Sequence, residues 1–113
     1  MIEVIIKNYL AEKLSVPVVL EVPVDPPKSF VLLEKTGSSR EEHIDRAMLA
    51  IQSYAPSMYE AAKLNERVKA AMDSAAELDA VSASRLNSDY NFTDTTTKRY
   101  RYQAVYDLVY FDE

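Results

Sequence analysis

The segment that most constrains this chain is its last strand-like run, Arg99-Tyr-Arg-Tyr-Gln-Ala-Val-Tyr-Asp-Leu-Val-Tyr-Phe111. Read with a period of two, one face carries Tyr100, Tyr102, Ala104, Tyr106, Leu108 and Tyr110. The other carries Arg99, Arg101, Gln103, Val105, Asp107, Val109 and Phe111. Strict alternation rich in aromatic and β-branched residues is a strand pattern. The tyrosine face can bury area and still offer hydroxyls at its edge. The second face is polar at its start and apolar at its end. Such a strand belongs in a sheet with one face on a core and the other half covered. A half-covered face is a place for a partner to dock.

The rest of the chain supplies what that sheet packs against. Met1 to Leu14 reads as a helix, with Ile2, Ile5, Ile6, Tyr9, Leu10 and Leu14 on one stripe. Ser15 to Val24 reads as a strand placed at an edge, because Pro17 and Pro23 cannot donate to a ladder. Asp25-Pro26-Pro27-Lys28 is a stiff turn, and Phe30 to Glu34 returns from it as the second arm of an expected hairpin. Gly37, the only glycine, is expected to supply a positive φ in a turn over Thr36–Ser39. Glu41 to Tyr54 fits both periodicities, and we assign it to a strand because a small sheet gains from a fifth member. Pro56 to Ala80 reads as the longest helix, with Pro56 in its first turn and Ala61, Leu64, Val68, Ala71, Met72 and Ala75 as the apolar stripe. Val81 to Phe92 reads as a polar strand, joined to the terminal strand through Thr93–Lys98. The predicted fold is α+β: a small mixed or antiparallel sheet of four to five strands, with the N-terminal helix and the long helix on one face. The 113 residues form one domain, 1–113.

Composition narrows the function. Thirteen basic and eighteen acidic side chains give a net charge of −5, which argues against a general nucleic-acid surface. With no cysteine, disulfide, thiolate and Cys-based zinc chemistry are excluded. No apolar run is long enough to span a bilayer and no signal-peptide pattern is present, so the cytoplasm is the expected compartment. His43, the sole histidine, lies among Glu41, Glu42 and Asp45, and a solvated loop explains that cluster better than a metal or an acid–base pair. The carboxylate pairs Glu41-Glu42 and Asp112-Glu113 are expected in water, without raised pKa values. No catalytic residue, cofactor site or metal site is expected. Lys98, Arg99, Arg101, Tyr100 and Tyr102 can serve either stacked bases and phosphates or a protein interface, and the acidic chain favours the interface.

The order of blocks is similar to one family. An amphipathic helix is followed by Glu21-Val22-Pro23, a Pro-Pro turn, Phe30-Val-Leu-Leu-Glu-Lys-Thr-Gly37 and Asp45-Arg46-Ala47. Then come Ile51-Gln-Ser-Tyr-Ala55, an alanine-rich helix with Glu60-Ala-Ala-Lys-Leu64, Asp89-Tyr-Asn-Phe92 and Arg99-Tyr-Arg-Tyr-Gln103. Over nearly its whole length the chain resembles the small tail terminator or tail completion proteins of long-tailed bacteriophages and prophages. The resemblance implies a virion structural protein without enzymatic activity or cofactor. It implies a ring, typically hexameric, that caps the tail tube and takes part in joining tail to head. Its partners are then copies of itself, the major tail tube protein and a head-completion protein. Its place is the head-proximal end of the tail, reached from the host cytoplasm, with no membrane and no specific nucleic acid involved. Arg99, Tyr100, Arg101, Tyr102 and Asp94 form one expected assembly patch, and Pro26 and Pro27 a second. A head-closure or adaptor protein is the nearest alternative, and a small nucleic-acid-binding module a more distant one.

Overall fold

A computed structural model describes residues 1–111; the Asp112-Glu113 pair lies outside the described residues. Two helices pack on one face of a five-stranded sheet. In chain order the elements are α1 (Ile2–Lys13), β1 (Val18–Val19), β2 (Phe30–Glu41), β3 (Ile44–Tyr54), α2 (Met58–Asp73), a short 3-10 turn (Ala75–Glu77), β4 (Val81–Asn91) and β5 (Arg101–Tyr110). The sheet order is β1-β2-β3-β5-β4. All neighbouring pairs are antiparallel except β1 with β2. The sheet is therefore mixed, and the α+β expectation holds.

Both apolar helix stripes reach one core. Ile2, Ile6, Tyr9 and Leu10 of α1 meet Leu64, Val68, Ala71 and Met72 of α2 over Val31, Leu33, Leu49, Ile51, Ala104, Tyr106 and Leu108 of the sheet. Ala61, the remaining α2 stripe residue, and Ala75 beyond the helix are fully buried as well. The tyrosine hydroxyls find acceptors at the edge of this core. Tyr9 donates to the Ala71 carbonyl at 2.8 Å, and Tyr106 donates to Asp73 Oδ1 at 2.7 Å. Burial and the Asp73 carboxylate both hold the Tyr106 phenol far above its usual range.

Several local expectations are corrected. The strand expected over residues 15–24 shrinks to Val18–Val19, and it runs parallel to β2, so no hairpin turns at Pro26-Pro27. The prolines explain the shortening, because each removes a ladder donor. β2 does not end at Glu34 but continues to Glu41. Gly37 lies inside that strand with no positive φ, beside a bulge between Lys35 and Gly37. The reversal occurs instead at Glu42 and His43, with φ of 52° and 67°. A two-residue hairpin turn of this hand matches the twist of its strands. Arg40 and Asp45 close the hairpin end through two guanidinium–carboxylate hydrogen bonds. Residues 44–54 are a strand, as assigned. α2 starts at Met58, so Pro56 stands outside it; Ser57 is the N-cap and accepts the Glu60 amide at 3.2 Å. Ser57-Met-Tyr-Glu60 is a capping-box spacing. The helix stops at Asp73 rather than Ala80.

A candidate interface on the open sheet face

Pleating sends alternate side chains away from the helices, and the registers align them into cross-strand rows. One row runs Phe30, Tyr54, Arg101; the next Leu32, Gln52, Gln103, Tyr90; the next Glu34, Ala50, Val105, Ser88. Two further rows are Gly37, Met48, Asp107, Arg85 and Ser39, Arg46, Val109, Ala83. No helix among the described residues covers this face.

One end of the face is an ordered aromatic–arginine cluster. Phe30 and Tyr54 stack at 4.5 Å between centroids, with planes 7° apart. The Arg101 guanidinium lies 4.4 Å from the centre of the Phe92 ring. It also donates from Nε to the Phe92 carbonyl at 2.7 Å and from Nη1 to the Tyr54 hydroxyl at 2.6 Å. Tyr54 donates in turn to Gln52 Oε1 at 3.0 Å, Gln52 Nε2 donates to Gln103 Oε1 at 2.9 Å, and Gln103 Nε2 donates to the Tyr90 hydroxyl at 2.6 Å. The two glutamines are 7% and 8% exposed, so their amides depend on this chain of bonds. Arg99 is exposed, with its guanidinium 5.7 Å from the Tyr54 ring centre. The middle of the face is more open. A depression of about 680 Å³ is lined by Gly37, Ser39, Arg46, Met48, Arg85 and Val109, among others.

The interface residues singled out from sequence fall into four places. Arg101 is on the open face, fixed by its neighbours. Tyr102 is on the helix side, opposite Ser53 and Asn91. Arg99 and Tyr100 border a smaller depression of about 220 Å³ together with Pro26, Pro27 and Lys98. Arg99 and Tyr100 of the first expected patch thus adjoin Pro26 and Pro27 of the second. Asp94 sits at the tip between β4 and β5, opposite Arg99 in an isolated bridge. Hydrogen bonds from the Thr97 side chain and the Thr96 and Thr97 amides hold its carboxyl below the usual range. His43 is an exposed turn residue. Among the described residues no group of three or more His, Asp or Glu side chains is placed to hold a metal ion, and no helix is long and apolar enough to cross a membrane.

Sequence reasoning missed Phe30, Gln52, Tyr54 and Tyr90 as members of the cluster. Their even spacing along β2, β3 and β4 was available, but which strand faces which was not. No protein-family model matches the chain, and no curated protein matches it.

Proposed function

We propose that this chain is a virion structural protein of the tail terminator type, without enzymatic activity. In this reading it caps a phage tail tube as a ring, typically of six copies, and helps join the tail to the head. The single observation that carries the reading is the open sheet face. Among the described residues one side of the sheet carries no helix, and it bears a fixed arginine–aromatic cluster in which Tyr90 and Phe92 are exposed. Tyrosine, phenylalanine and arginine are the residue types that concentrate binding energy at protein interfaces. The block pattern described above supplies the kind of assembly.

The same geometry weighs against the nucleic-acid reading. Arg101 already spends Nε and Nη1 on Phe92 and Tyr54, so its guanidinium is poorly placed to bridge phosphates. DNA binding that falls steeply with salt would reverse this judgement.

Mass in solution tests the reading, by light scattering over a concentration series, alone and with tail tube protein, with negative-stain imaging of large species. Rings of about six copies, alone or on the end of tubes, are the expected result. A chain that associates with neither itself nor the tube overturns it. Binding to a head connector but not to the tube moves the assignment to an adaptor.

A further inference from the structure

We propose that copies of this chain join edge to edge, the outer edge of β4 pairing antiparallel with the uncovered outer edge of β2 on the next copy. This rests on the ring reading above and names the seam of that ring.

The sheet order leaves two unlike edges. Among the described residues no strand lies beyond β4 anywhere along Val81–Asn91. At the opposite side β1 pairs with β2 only at Val31 and Leu32, so Leu33–Glu41 has no strand on its outer side. All eight residues from Glu34 to Glu41 are exposed. Unpaired edges present rows of amide and carbonyl groups and act as templates for another strand. β3 is antiparallel to both β2 and β5, and β4 is antiparallel to β5, so β4 runs opposite to β2. A sheet continuing from β4 into β2 of the next copy is therefore antiparallel. Because the edges differ, the contact is heterologous: it leaves a free edge at each end until a ring closes.

Charge selects this pairing over like with like. On the open face the β2 edge is acidic, with Glu34 and Glu41, and the β4 edge is basic, with Arg85. On the helix side the edge charges are already matched within the chain, Lys35 with Glu3, Arg40 with Asp45 and Asp89 with Lys69, so the open face sets the preference. The open face thus brings opposite charges together when β4 meets β2. Pairing β4 with β4, or β2 with β2, brings like charges together on that face. Glu34, Glu41 and Arg85 are exposed, and among the described residues none has an ion pair. β4 also lacks lysine and proline, two common devices for blunting an edge.

The test is a charge swap on the full chain. Arg85→Glu alone, and Glu34→Arg with Glu41→Arg alone, each set like charges across every open-face seam. Each variant is expected to need a concentration roughly ten-fold higher or more to associate, since about 1.4 kcal/mol per contact corresponds to that factor. An equimolar mixture of the two regains opposite charges at every seam, so association returns to the wild-type level. In the wild type, amides of 83–91 and 33–41 gain protection from hydrogen exchange on association, a readout that needs no variant. Wild-type rings with unaffected variants and no edge protection overturn the seam and leave the ring reading standing. A wild type that stays monomeric throughout overturns self-pairing, and capping then requires the tube as template.

Discussion

Arg99 and Arg101 look equivalent in sequence and are not equivalent in the molecule. Arg101 is half-buried and hydrogen-bonded to Tyr54 and the Phe92 carbonyl, whereas Arg99 is exposed. Reversing Arg101 leaves a carboxylate against acceptors and ring faces, so Arg101→Glu is expected to lower stability by about 1–3 kcal/mol as well as weaken association. Arg99→Glu is expected to weaken association and move stability by no more than about 0.5 kcal/mol. Urea titration beside light scattering separates the two; equal stability losses would contradict the placement. Gln103 makes a second residue-level case. Its amide bridges the buried Gln52 and the exposed Tyr90, so Gln103→Ala strands the Gln52 amide and is expected to cost about 1–3 kcal/mol in the same titration.

At the scale of elements, α2 begins where its cap is. Ser57→Ala removes the acceptor for the Glu60 amide and is expected to cost about 1 kcal/mol, read as a lower urea midpoint with an unchanged slope. The β4–β5 tip depends on charge. The Asp94 carboxyl is held below its ordinary value by the Thr97 and Thr96 hydrogen bonds. The tip's gain is therefore complete above the ordinary aspartate range and is lost as pH falls through the lowered value. Protection of the Thr96 and Thr97 amides, taken relative to the intrinsic exchange rate at each pH, is expected to fall only in acid below about pH 3.9 and to be low at all pH in Asp94→Ala. These elements also mark what the sequence makes legible. The α2 stripe and the two faces of β5 follow from local periodicity, and every α2 stripe residue named from sequence is buried. The turn at Glu42-His43 and the parallel β1 depend on register and on pairing with distant segments, which no local window contains. The arginines of the site were visible for the first reason. Tyr54 and Phe30 were not, because Tyr54 meets Arg101, and Phe30 meets Tyr54, only through strand order.

For the whole molecule the sheet divides labour between its faces, and two adjacent residues test the division. Leu49 points into the core shared by both helices and is fully buried, whereas Met48 points into the open depression and is 39% exposed. One core joins α1, α2 and strands β1 to β5, so losing packing at Leu49 weakens all of them together. Leu49→Ala is expected to cost about 2–5 kcal/mol and to lower a single cooperative transition. Met48→Lys adds a charge where water already reaches, so it is expected to change stability by no more than about 0.5 kcal/mol. If the open face docks a partner, that same lysine desolvates in the complex and binding weakens while the melting curve stays in place. Thermal melts followed by circular dichroism, paired with association measurements on the same samples, read both effects. A Met48→Lys chain that melts early would place Met48 in the core, and one that associates normally would take the open face out of the interface. Unchanged stability with weakened docking on the open face is the combination expected of a two-faced sheet.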